Sequence, residues 1–499
     1  MLESRSGPAA DAGGPDTRHA LLLIAGIALL RVVALKLNST DLFFDESQYW
    51  AWSREPAFGY YSKPPLIAWI IAASTSLCGN GEVCVRLPAV LIHAGTAFAV
   101  FLLGRALYSG RIGLLSAAVY ATLPGVSLSS GIISTDVPLL LAWALALLAF
   151  HRLLKAPDWR AVPLLGLAFG TGLNAKYAMA YFVLCAAVFL WLVPERREAA
   201  KRPHLWVALA LGLALIVPNL VWNARHGFAT FAHTADNAKW GGSLLHPLKA
   251  LEFLGAQFGV FGPILFAALL VILWRVQRGK ARFEAREKML LAFSVPVIGI
   301  VTGQAFLSRA HPNWAAVAYV PATLLVTAYM LREGEERWFR RSLALNASVA
   351  VVIAAATWQA GKMALPGVGD PFARTLGNRE LAAETRRILE EARRGGKPFG
   401  AIISDERELT ASLLYYGREV ETPLFAWRAG PRPADHFEMQ RPYLAGAPEP
   451  VLLVTRKADP AGVTGAFARA EPLLARALPA GRFSTRTIHY FALSGYRTP

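Results

Sequence analysis

Residues 203–222 read PHLWVALALGLALIVPNLVW, twenty positions without one Asp, Glu, Lys or Arg. A helix of that length rises about 30 Å, the thickness of a bilayer's hydrocarbon layer. Arg202 and Arg225 flank the run, so charge returns as soon as the apolar stretch ends. Comparable runs occupy 18–37, 83–104, 134–151, 255–274, 288–307, 312–331 and 342–361. The whole 499-residue chain is 55% hydrophobic and only 17% charged, where a soluble chain carries about a quarter charged. Its mean hydropathy is +0.38. The sequence therefore predicts a polytopic α-helical membrane protein with about eleven transmembrane helices, or thirteen with one more paired crossing.

Arg31 and Lys36 lie inside the first apolar run, and no small-residue cleavage site follows it. That run reads as a retained first helix rather than a signal peptide. Residues 1–17 read as a disordered cytoplasmic tail. The formal net charge of +17 would suggest nucleic acid in a soluble protein. Here it follows the loops. With the tail inside, alternate inner loops carry 19 Lys and Arg and the outer segments 7. This bias obeys the positive-inside rule and fixes the orientation. Membrane lipids, not nucleic acid, are the expected partners of that charge. The apolar segment from Pro65 to Leu77 is too short to cross and would invert the bias if it did. It is expected to lie along the outer surface or re-enter there.

The composition changes near Lys362. Residues 362–499 are polar, with short β-type runs at 399–404 and 451–455 and a helical stretch at 380–394. They predict a soluble α/β domain outside the membrane, after a transmembrane domain spanning 18–361. No phosphate loop or catalytic motif stands out in it. The three cysteines form no metal or redox motif. Cys78 and Cys84 share an outer loop, where an oxidising compartment permits a disulfide.

The first outer loop, 38–83, holds the chemistry. It runs Asp41-Leu-Phe-Phe-Asp45-Glu46-Ser-Gln-Tyr49-Trp50-Ala-Trp52, then Gly59-Tyr60-Tyr61-Ser62-Lys63-Pro64-Pro65. Adjacent carboxylates at the mouth of a membrane domain are costly, which marks them as functional candidates. Asp45 can equally cap a surface helix starting at Glu46. Asp136, in Ser134-Thr-Asp136-Val-Pro138, opens a later helix at the same face. It too can be a helix cap. Carboxylates from two segments on one face suit acid/base work or acceptor binding. Outer cations are few: Lys63, Lys176, and Arg309 with His311 in Ser308-Arg309-Ala-His311-Pro312-Asn313-Trp314. Cations facing carboxylates suit a departing phosphate, although each can also reach toward headgroups. Asp236 and Lys239 read as ordinary loop charges.

As an ordered set these motifs resemble the GT-C superfamily, in the bacterial branch of the protein O-mannosyltransferase family. That branch includes the lipid A aminoarabinose transferases. The resemblance covers about 20–360 and implies a GT-C fold with an outer C-terminal domain. It implies an inverting glycosyltransferase that takes a sugar from a polyprenyl-phosphate (undecaprenyl-phosphate) donor. The acceptor would be lipid A, lipopolysaccharide or another envelope molecule on the periplasmic face of the bacterial inner membrane. Asp45 would be the general base or orient the acceptor, with Glu46 and Asp136 assisting. Tyr60, Tyr61, Lys63, Lys176, His311 and Asn313 would bind the donor and its phosphate. No metal or other cofactor is expected. Ser62-Lys63 stands where many relatives carry acidic or His residues, so the sugar does not transfer with the resemblance. A protein hydroxyl as acceptor, and a lipid-linked sugar flippase, are the competing expectations.

Overall fold

The computed structural model describes residues 14–238, 245–365 and 369–497. Most of the expected tail, up to residue 13, and Lys239 lie outside the described residues. The chain opens with α1 (Pro15–Leu37), then two short loop helices, α2 (Phe44–Ser53) and α3 (Leu66–Cys78). The membrane domain continues with α4 (Glu82–Leu107), α5 (Gly110–Thr122), α6 (Pro124–Ser129), α7 (Asp136–Lys155) and α8 (Ala161–Ala175). Among the described residues seven helices are long and apolar enough to cross a bilayer, or up to nine counting two bent pairs. Eleven crossings would also need α8, at 15 residues shorter than a usual span, and the α5–α6 segment, which is broken into two short helices. Pro124 is the reason for the break between α5 and α6, since it lacks the N–H that would continue α5.

The segment expected along the surface is α3, a 13-residue helix that rises only about 20 Å. Ile67, Ala68 and Ile71 are buried on one side of it, while Leu77 is exposed. Cys78 and Cys84, at its end, form a disulfide.

The C-terminal part is a mixed five-stranded sheet in the order β2-β1-β3-β5-β4. Its strands are β1 (Ala401–Ser404), β2 (Leu424–Ala426), β3 (Val451–Thr455), β4 (Phe467–Pro479) and β5 (Thr485–Tyr496). β1 and β3 are parallel and wholly buried, which is why they read as continuous apolar runs. β4 and β5 pair antiparallel as a long hairpin. Helices Asn378–Arg394 and Arg407–Tyr416 cover one face through Leu381, Ile388, Leu409 and Leu413.

This domain is fastened to the first loop rather than hung from the last helix. The Asn378 N–H donates to Asp41 Oδ2 at 2.8 Å, and Arg379 Nε lies 3.0 Å from Asp41 Oδ1. The Tyr416 hydroxyl accepts the Leu42 N–H at 2.6 Å and binds Glu82. Trp50 of α2 meets Tyr415 edge-on at 5.0 Å. The sheet domain thus holds α2 in place.

Candidate active site

Three segment ends converge near the first loop. Asp136 is the first residue of α7, and Lys176 caps the C-terminus of α8 in an extended conformation. Gly172, one turn earlier, has no room for a Cβ, which would sit 2.6 Å from Met179 Sδ and 3.2 Å from Ala142 of α7. This close approach brings Lys176 Nζ to 2.7 Å from Asp136 Oδ1. Asn313, from the turn after His311, donates to the other oxygen, Asp136 Oδ2, at 2.6 Å. Three sequence candidates from distant segments therefore form one hydrogen-bonded cluster.

The Lys63 side-chain amine has no hydrogen bond or ion pair among the described residues, although the Lys63 carbonyl accepts the Tyr60 N–H at 3.1 Å. Burial and the Lys176 ammonium push its amine below the ordinary lysine value, against the pull of Asp45 and Asp136. His311 is lowered by desolvation, then by Arg309, Lys176 and Lys63. Arg309 Nε is buried without a protein partner among the described residues. Lys63, Lys176, Arg309 and His311 thus share one field, with more cationic groups than Asp45 and Asp136 neutralise. Such a field takes up an anion of high charge density.

Asp45 lies in the first turn of α2, half-exposed, with Oδ1 2.9 Å from Arg407 Nη1. It does not cap the helix. Glu46 does, accepting the Phe43 N–H at 2.9 Å. Glu46 is fully buried and accepts three further bonds, from Arg86 Nε and Nη2 at 2.9 and 2.7 Å and from the Ile133 N–H at 3.0 Å. A carboxylate with four donors and no exposure is a structural group, so the expectation that Glu46 assists chemistry gives way to a fastening role. Through Ile133 it joins the first loop to the start of α7, three residues before Asp136.

Tyr60 is likewise walled in. Its ring stacks on Trp52 at 4.6 Å, and its hydroxyl bonds the Trp52 carbonyl at 3.0 Å. The Tyr61 hydroxyl donates to Pro433 O at 2.9 Å, and its ring meets His233 at 5.5 Å. Both tyrosines, expected at the donor, take part in the seam with the sheet domain, Tyr60 fully buried and Tyr61 half-buried. Among the described residues no three His, Cys, Asp or Glu converge as a metal site.

The chain is 36% identical over 439 residues to the lipid A galacturonosyltransferase RgtD of Rhizobium johnstonii, covering 88% of this chain and 91% of that protein. The chain belongs to the GT-C glycosyltransferases. The family described as dolichyl-phosphate-mannose-protein mannosyltransferase matches residues 62–222. The undecaprenyl phosphate-alpha-4-amino-4-deoxy-L-arabinose arabinosyl transferase of Erwinia tasmaniensis is 31% identical over 224 residues, 40% of this chain and 39% of that one. In fold, the crystal structure of ArnT from Cupriavidus metallidurans in the apo state superposes with a TM-score of 0.65 at 15% identity, covering 94% of this chain and 97% of that chain. The same protein bound to undecaprenyl phosphate gives 0.64 at 17% identity, with the same coverage.

Two residues of this GT-C site were not singled out from the sequence. Arg86 lies inside the apolar run 83–104, where a cation demands a buried partner, and that signal was readable. Arg407 lies in the polar domain, one arginine among many, and nothing in its neighbourhood distinguishes it.

Proposed function

We propose that this glycosyltransferase moves an acidic sugar, galacturonate, from an undecaprenyl-type phosphate carrier to a lipid A-type glycolipid. The transfer takes place on the periplasmic face of the bacterial inner membrane. The observation that carries this reading is the Asp136–Lys176–Asn313 cluster with Lys63 unpaired beside it. The chain-length similarity to a lipid A galacturonosyltransferase supports the sugar and the acceptor.

The chemistry is an inverting displacement. The acceptor hydroxyl attacks C1 of the sugar as the C1–O bond to the carrier phosphate breaks. The phosphate leaves with the bonding pair. Asp45 orients the hydroxyl and takes its proton. Lys63 and Lys176 take up the charge that develops on the leaving phosphate. Asp136 and Asn313 act as positioning residues that aim Lys176. These ammonium groups fill the role that a divalent ion has in other phosphate chemistry, so the expected outcome is a rate that chelator leaves unchanged.

The test is transfer of labelled sugar from a panel of polyprenyl-phosphate donors to envelope lipids and to protein, comparing wild type with Asp45→Asn. Galacturonosylated glycolipid from wild type, with a loss of about a hundredfold or more in the variant, supports the reading. Labelled protein instead would make the acceptor a protein hydroxyl. Carrier movement across vesicles without transfer would replace the enzyme reading with a flippase.

A further inference from the structure

Arg86 and Arg407 are both arginines bound to the first loop, and they are bound differently. Arg86 uses every nitrogen of its guanidinium, on Glu46, Thr40 and Asp41. It is a closed structural pair. Arg407 uses Nη1 alone, 2.9 Å from Asp45 Oδ1 and 3.1 Å from Gln48 Oε1. Among the described residues its Nε and Nη2 have no hydrogen-bond partner, and Asp45 Oδ2 has none either. The guanidinium carbon lies 4.7 Å from the Phe44 ring, which steadies the group without using its donors. Its charge also reaches Lys63 and His233.

We infer that Arg407 is an arm of the soluble domain that receives an oxyanion of a substrate at Asp45, through the guanidinium donors the protein leaves unused. A guanidinium fork takes a carboxylate or phosphate through two parallel hydrogen bonds, and the single-point link to Asp45 leaves that geometry open. Asp45 alone would repel an anionic substrate, and the adjacent Arg407 removes that barrier. The sheet domain is then part of the binding site. The inference rests on the glycosyltransferase reading above and adds a residue that reading does not need. The oxyanion has two sources, a carboxylate on the donor sugar or a phosphate on the acceptor.

The experiment measures kcat and KM for donor and acceptor with Arg407→Gln and Arg407→Lys in the full chain. Arg441→Gln, which removes an exposed pair with Glu55 in the same seam at 2.7 Å, is the control for docking. The expected result is a KM raised about tenfold to a hundredfold for one substrate in Arg407→Gln. Arg407→Lys should restore part of the loss, with thermal stability unchanged and the control like wild type. If the penalty vanishes with a neutral sugar on the same carrier, the anion is the donor carboxylate. If it vanishes with a dephosphorylated acceptor, the anion is the acceptor phosphate. Unchanged kinetics, a fall in kcat with both KM values intact, or a loss that follows the melting temperature would each overturn the inference. Absence of transfer by wild type would instead remove the function on which it rests.

Discussion

Asp136 and Lys176 stand on different helices, forty positions apart, yet their charged atoms lie 2.7 Å from each other with side chains only 11% and 20% exposed. At that burial each ion needs the other, and removing one leaves an uncompensated charge. Asp136→Asn is expected to lower kcat/KM by about a hundredfold, because Lys176 loses the partner that aims it. Lys176→Met should do the same. The double variant should lose far less than the two losses combined, since both remove one unit. Additive losses in a double-mutant cycle would separate the two residues.

Lys63 gives a pH dependence whose sign is fixed. Its amine is pushed below the ordinary lysine value, so it gives up its proton at a pH where other lysines keep theirs. Activity that needs the ammonium should fall as pH rises through that lowered value. Lys63→Arg keeps the charge to far higher pH, and the alkaline limb of the kcat/KM profile should move upward with it. An unmoved limb would assign the titration to another group.

Glu46 and Asp45 are neighbours that should behave as opposites. Glu46→Gln breaks a fully buried pair with Arg86 and is expected to cost about 3–5 kcal/mol of stability, read as a lowered melting temperature in detergent. Asp45→Asn breaks a half-exposed pair and should melt like wild type while transferring little sugar. If Glu46→Gln keeps its melting temperature and loses kcat, Glu46 is chemical after all.

The seam between the domains carries its own titration. His436 is packed against Trp52 at 5.2 Å and Tyr60 at 5.4 Å, and burial lowers it to about 3. Its folded value lies below its unfolded one, about 6.5. The stability it contributes is present above 6.5 and is lost as pH falls toward 3. Asp41 acts in the opposite sense. Burial raises it to about 6, so its contribution is present below 3.8 and is lost as pH rises through 6. The difference between wild type and His436→Gln therefore isolates the histidine. That difference in unfolding free energy should shrink steadily below pH 6.5, and a constant difference would rule out His436 as the titrating group.

What the sequence made readable follows from contrast. Asp136, Lys176 and Asn313 are polar residues at the edges of apolar runs, where their presence needs a reason, and all three meet. Tyr60 and Tyr61 sit among other aromatics, and a sequence cannot distinguish a ring that faces a substrate from one that stacks on Trp52. Glu46 and Asp45 share every local property, and only the three-dimensional position of Arg86 separates them. Arg407 is further out of reach. Its partner lies 362 positions away in a segment of opposite composition. The long hairpin of β4 and β5 was hidden for a related reason. The β4 sequence FARAEPLLARALP is rich in Ala and Leu, residues that favour helix in isolation, and cross-strand pairing overrides that preference.

The fastening of α2 by residues 378–416 sets an order of assembly. Helices enter a membrane as the ribosome delivers them, so the first loop emerges long before Asn378, Tyr415 and Tyr416 exist to brace it. Until the last quarter of the chain has been made and folded, Asp41 and Leu42 lack the partners that fix the helix bearing Asp45. A nascent or C-terminally truncated chain would therefore occupy the membrane without a working centre, and activity would begin only when synthesis is complete.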